Sequence, residues 1–176
     1  MARVTYIDET ETPELNELVD KIKSGRRGSL INVYKLLLHS PPLAESWFDH
    51  LNQVRWGTQL SGRLREIVII RIGYLNKVDY VLNQHVPKLA EAEGLTVAEC
   101  NALEDWKDDG TFSAEECAAL AFADAMTRDV AVPDDVYDAL GDHFDERGIV
   151  ELAILIGTYN MQNRVLAALQ IDLEPK

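Results

Sequence analysis

Two segments of this chain, 64–75 and 149–157, are apolar nearly all the way round a helix, and no stretch alternates apolar and polar residues as a half-buried strand does. Apolar residues recur instead at spacings of three and four. That period commits the chain to an all-α fold, and the two segments are expected to be its core helices. Helix starts are marked by Thr12 before Pro13, and by Thr96 with Glu99 and Ser113 with Glu116 at capping-box spacing. Pro41, Pro42, Pro87 and Pro133 mark breaks or first turns, and Gly25, Gly28, Gly94 and Gly110 fall at segment ends. Eight to ten helices are expected, over about 13–24, 30–39, 42–56, 61–75, 76–86, 87–93, 96–107, 113–128, 133–144 and 146–170.

The 176 residues suit a single domain spanning 1–176, long enough to bury roughly two thirds of the surface of the unfolded chain. No linker divides it. The charged stretch through Arg27 is polar on most faces and is expected to form a loosely packed extension over 1–27. The core segments also resemble one another. Laying Glu66 on Glu151 pairs Ile67 with Leu152, Ile69 with Ile154, Ile70 with Leu155 and Tyr74 with Tyr159. This suggests an internal pseudo-repeat in which one half carries the histidine, because Gln170 stands where the first half has His85.

Lys and Arg number 17 against 30 Asp and Glu, a formal charge of −13. Such a chain repels phosphate backbones and anionic lipid, so neither nucleic acid nor membrane is an expected partner. The start MARVTYIDETETPELNELVDK lacks the apolar core of a signal peptide, and LAILIGTYNMQN is too short to span a bilayer, so a cytoplasmic location is expected. The acidic runs Glu99 to Asp109 and around Asp134, Asp135 and Asp138 read as solvated helix faces. Cys100 and Cys117 are the two cysteines, at a separation that matches neither a redox C-x-x-C nor a zinc site, and both read as reduced structural thiols.

The chemistry of this chain concentrates in LREIVIIRIGYLNKVDYVLNQH. Glu66 stands among Ile67, Val68, Ile69 and Ile70, where lost hydration raises the pKa of a carboxyl, and an imidazole at His85 can exchange a proton near neutral pH. Two readings of each residue stand. Glu66 is either half of a proton-transfer pair or an ion-pair partner of Arg63, Arg65 or Arg71. His85, on a helix face with Val78, Val81 and Leu82, is either a pocket residue or a core histidine satisfied by a carbonyl. His39, His50 and His143 lie in polar surroundings and read as surface or capping residues.

L-R-E-I-V-I-I-R, then D-Y-V-L-N-Q-H-V-P, S-A-E-E-C-A-A-L-A-F-A-D-A-M-T and V-E-L-A-I-L-I-G-T-Y-N-M-Q-N-R occur in that order, and over about Leu30 to Leu173 the chain resembles the carboxymuconolactone decarboxylase family, which includes the AhpD-like alkyl hydroperoxidases. The resemblance implies an AhpD-like helical bundle that assembles into dimers, trimers or hexamers, with sites near subunit contacts. In the redox branch the helix before the histidine carries C-x-x-C-x-x-x-H. Here Val78 and Val81 hold the two thiol positions, so the resemblance points to the cysteine-free branch, without thiol peroxidase chemistry.

For that branch the resemblance implies a lyase that acts on a carboxylated lactone or another small unsaturated carboxylic acid, with no metal or organic cofactor. Glu66 and His85 carry over as catalytic residues, and Tyr80, Arg71, Tyr159 and Arg164 are candidates for holding the substrate. Arg71 or Arg164 would meet its carboxylate, His85 would protonate the carbanion left by loss of carbon dioxide, and Glu66 would orient the imidazole. Other proton-transfer chemistry at the same pair, a redox-inactive AhpD-like member, and an oligomeric binding protein without activity are the alternatives.

Overall fold

The computed structural model describes residues 1–26, 28–108 and 110–175, which contain helices and no strand. Arg27 and Asp109, which close two of the stretches singled out above, lie outside the described residues. The chain forms two compact units, residues 1–57 with 166–176, and residues 58–165. No helix among the described residues is long and apolar enough to cross a membrane.

The first unit holds α1 (Asn16–Ser24), α2 (Asn32–Leu37) and α3 (Pro41–Trp56), preceded by a 3₁₀ turn over Pro13–Leu15. Proline occupies the first turn of that 3₁₀ segment and of α3, where a missing N–H costs nothing. The Thr12 hydroxyl donates back to the Asp8 carbonyl at 2.9 Å rather than capping the turn. Val19 and Ile22 of α1 are buried, as are Tyr34 and Phe48, whose rings meet edge to face at 6.0 Å. The N-terminal segment is tied to the C-terminal one by Arg3 N–H to the Leu169 carbonyl (2.9 Å) and by Asp172, which accepts from Ala2 N–H (3.0 Å) and from the Tyr6 hydroxyl (3.2 Å).

The second unit is built around α4 (Gly62–Asn76), whose residues from Leu64 through Gly73 are all buried. Ser61 caps it by accepting the Leu64 N–H. Around it lie α5 (Asp79–His85), α6 (Lys88–Ala92), α7 (Val97–Ala102), a 3₁₀ segment over Leu103–Asp108 and α8 (Ala114–Arg128). Ile67, Ile70, Ala90, Leu95, Leu103, Trp106, Phe112 and Leu120 make the central cluster, each large aliphatic side chain contributing about 1.5–3 kcal/mol by burial. Both predicted capping boxes, Thr96 with Glu99 and Ser113 with Glu116, close as expected. A short helix α9 (Asp134–Asp138), a 3₁₀ turn over Ala139–Asp142 and the long α10 (Glu146–Leu169) follow.

The expectation that both apolar segments are core helices holds for α4 and fails for α10. Leu152, Leu155, Ile156 and Tyr159 are buried, but Val150 is 56% exposed and Ile154 49%. In the alignment of the two segments, Ile67 with Leu152 and Ile70 with Leu155 are fully buried in both, whereas fully buried Glu66 and Ile69 fall opposite half-buried Glu151 and exposed Ile154, so the likeness extends to environment only in part.

Candidate functional site

The site begins at the end of α4. Lys77 takes the left-handed conformation (φ 55°, ψ 49°) and its N–H closes on the carbonyls of Gly73 and Tyr74, which stops the helix and turns the chain. The chain then returns as α5 alongside α4. Close approach of the two helices requires Gly73, because a Cβ there would lie 2.9 Å from Leu82 Cδ2. The result places His85, the last residue of α5, against Glu66 on the preceding helix.

Glu66 is fully buried and His85 is 4% exposed. Glu66 Oε2 lies 2.5 Å from His85 Nδ1, within hydrogen-bond reach. Nδ1 is the nitrogen held by the carboxylate, which leaves Nε2 as the ring atom that can meet a ligand. The Tyr159 ring of α10 meets the imidazole edge to face at 5.8 Å. Val81, one turn before His85, and Val78 at the start of α5 are buried.

The three arginines near Glu66 in sequence each have a carboxylate partner elsewhere in the fold. Arg63 binds Glu99 and Glu116, each at 2.7 Å, and Arg65 binds Glu93 at 3.0 Å. Arg71 grips Asp124 through Nε and Nη2 at 2.6 and 2.7 Å, and its Nη1 donates to the carbonyls of Leu103 and Glu104 at 2.9 and 2.7 Å. All three arginines near Glu66 in sequence are thus engaged by other carboxylates, and Glu66 faces His85.

Those contacts also sort the remaining candidates. Tyr159 joins Glu66 and His85. Arg71, expected to receive a substrate carboxylate, spends four donors of its guanidinium on Asp124 and two carbonyls and is committed to the fold. Arg164 is exposed, and its Nη1 donates to the carbonyl and to Oδ1 of Asn160. Five residues after Tyr159, it sits about 140° around the helix from that ring. Tyr80 is buried on α5, a similar angle from His85. Neither expected arginine therefore stands at the imidazole.

The sequence reading passed over Asp124, which stands as a lone acid in the apolar run AFADAM. Asn160, marked in the sequence only as part of the Y-N-M-Q-N-R stretch, accepts from Asn76 (3.1 Å) and donates to the Thr127 hydroxyl (2.8 Å), so one amide joins α4, α8 and α10.

Burial raises the pKa of both thiols. Cys100 lies in the central cluster, and half-buried Cys117 donates to the Phe112 carbonyl. Neither is set up as a reactive thiolate.

An all-helical unit thus buries a carboxyl group against an imidazole where α5 returns along α4, and Val78 and Val81 stand where the C-x-x-C motif would have its two thiols. The chain belongs to the carboxymuconolactone decarboxylase family, whose model matches residues 41–125. It is 30% identical over 107 residues to the uncharacterized protein YdfG of Bacillus subtilis, covering 60% of this chain and 72% of that protein. The fold is also that of a protein of unknown function from Agrobacterium tumefaciens described as a suggested antioxidant-defence protein AhpD. That match has a TM-score of 0.75 at 24% identity and covers 80% of this chain and 97% of that one. A variant of the debrominase Bmp8 in complex with 2,3,4-tribromopyrrole shares the fold with a TM-score of 0.82 at 20% identity, covering 99% of this chain and 94% of that one.

Proposed function

We propose that this protein is a cofactor-independent lyase that decarboxylates a small unsaturated or lactone-bearing carboxylic acid, with His85 as the proton donor and Glu66 as the group that positions it. The observation that carries the proposal is the buried 2.5 Å contact between Glu66 Oε2 and His85 Nδ1, which fixes the imidazole with Nε2 available for proton transfer. Loss of carbon dioxide from the substrate carboxylate leaves its bonding pair in the conjugated system. The Nε2 proton is then delivered to the carbon, and the imidazole recovers a proton from solvent. Glu66 stabilises the imidazolium at the start of each cycle, and taking the substrate carboxylate out of water favours a step that disperses its charge. Tyr159 closes one side of the ring. Thiol peroxidase chemistry is not part of the proposal, since Val78 and Val81 cannot form a thiolate and the two cysteines are held as thiols.

The test is incubation with a carboxylated muconolactone in D₂O, followed by NMR and by carbon dioxide release. Turnover with one deuterium incorporated at the decarboxylated carbon is expected, falling by about 10²–10⁴ in His85→Gln, the usual size of a general-acid contribution. A rate unchanged in His85→Gln, or no turnover of any carboxylated lactone together with consumption of an organic hydroperoxide, would sink the proposal.

A further inference from the structure

The buried stripe of α10 holds a polar side chain that the fold does not use. Leu152, Ile156, Tyr159 and Asn163 follow one another at steps of four, three and four along the inward face, and each is 0 or 1% exposed. Asn163 stands where the pattern calls for another apolar residue. Neither its Nδ2 nor its Oδ1 meets a protein partner, and among the described residues it is the only side chain with a donor and an acceptor both sealed and unmet. Asn160, also buried, is by contrast engaged by Asn76, by the Thr127 hydroxyl and by the Ile156 carbonyl. An amide sealed without partners costs stability, so packing does not account for Asn163 and a ligand would.

Asn163 lies about 6 Å farther along α10 than Tyr159 and about 40° round from it. Side chains on a helix lean toward its N-terminus, so the Asn163 amide covers the turn that carries Tyr159. The Tyr159 ring is in turn the group that meets the His85 imidazole at 5.8 Å. We infer that Asn163 is a further catalytic residue of the His85 site, whose Nδ2 donates a hydrogen bond to a substrate carbonyl oxygen as that oxygen takes on negative charge. This rests on the reaction proposed for His85. When the bond to carbon dioxide breaks, its electron pair moves through the conjugated system to the carbonyl oxygen and makes an enolate. When the Nε2 proton reaches the carbon, the pair returns to form the C–H bond and the carbonyl is restored, while Asn163 keeps its own protons throughout. A neutral donor suits a group that is neutral before the bond breaks and charged after it, because the hydrogen bond then strengthens in the transition state, most of all out of water. A cation would instead favour the carboxylate before it leaves, and neither Arg71 nor Arg164 stands at the imidazole. The substrate class narrows accordingly to acids in which loss of carbon dioxide feeds a ketone or lactone carbonyl.

The test is steady-state kinetics of the full chain on the carboxylated muconolactone, comparing the parent with Asn163→Leu and with His85→Gln. Leu is close to Asn in size and shape, so Asn163→Leu should keep a urea midpoint equal to the parent's or above it. Its kcat should fall by about 10²–10³, the usual loss on removing one such donor, with KM changed by less than about threefold. Turnover lost in His85→Gln but kept within about twofold in Asn163→Leu would overturn this inference and leave the reaction at His85 standing. A KM that rises at unchanged kcat would do the same, since the amide would then hold the substrate without favouring the transition state. So would a lowered urea midpoint, which would show that the fold itself uses the amide. A parent protein without turnover would overturn both readings.

Discussion

Asp124→Ala decides whether Arg71 belongs to the fold or to a ligand. The pair is bidentate, with contacts of 2.6 and 2.7 Å, and its side chains are 5 and 8% exposed. Removing the carboxylate leaves a guanidinium out of water with only two carbonyls to answer it, and breaking a buried pair in this way costs about 3–5 kcal/mol. Arg128, 3.7 Å from Asp124 and 55% exposed, adds little. For a chain of this size the loss corresponds to a fall in Tm of about 6–20 °C, and in urea to a lower midpoint at an unchanged slope. Arg71→Met should cost a similar amount, because it strands Asp124 and the carbonyls of Leu103 and Glu104. The double variant Arg71→Met with Asp124→Leu removes both charges and keeps only the carbonyl deficit, so its cost should fall short of the sum of the singles by about 2–3 kcal/mol. Urea titrations followed by far-UV circular dichroism measure all of these. If Asp124→Ala costs less than about 1 kcal/mol, the size of an exposed pair, the two groups are solvated and the structural role of Arg71 is refuted. Its place as receptor of a substrate carboxylate would then reopen.

Glu99 is held down to about 2 by the backbone N–H and hydroxyl of Thr96 and by Arg63. The folded value lies below the ordinary one near 4.5, so the stabilisation is complete above about pH 4.5 and is lost as pH falls toward 2. Glu99→Gln should flatten that limb of the urea midpoint against pH, and an unchanged limb would count against it. Lys77→Gly should raise stability by up to about 1 kcal/mol, because the left-handed conformation at φ 55° is strained for a residue with a side chain; a loss of that size would show that the Lys77 side chain contributes more than its backbone costs. Asn163 is fully buried, and neither amide atom has a protein partner among the described residues. Asn163→Leu is therefore expected to be neutral or to add about 1 kcal/mol, and a clear drop in the urea midpoint would contradict that.

The helices were legible because their ends are chemically marked. Thr96, Ser113 and the prolines at 13 and 41 act through their own backbone neighbours, so a local signal suffices. The pairing of Glu66 with His85 was legible for a different reason. A turn between two helices brings a residue late in the second back to one midway along the first, and a separation of 19 residues across such a turn is a spatial statement as well as a sequence one. Partner choice was not legible. Arg63, Arg65 and Arg71 all lie within five residues of Glu66, yet each binds a carboxylate 28 to 53 residues away. Neighbours on one helix point in different directions, and which distant carboxylate arrives is set by the packing of α6, α7 and α8, which no local pattern encodes.

The misreading of α10 has the most consequence. Hydrophobicity records that a side chain avoids water, and is silent on whether its own chain or another provides the cover. In α4 each apolar face finds a neighbour within the unit. In α10 the inward face does so, while Val150, Ile154 and Met161 do not. A helix apolar all round can therefore mean a core helix or one with a second face awaiting a partner, and the two differ in how the apolar residues divide. In α10 the exposed set, Val150, Ile154 and Met161, lies on the side of the helix opposite Tyr159, the ring that meets His85, so one apolar helix here serves the core with one face and meets water with the other.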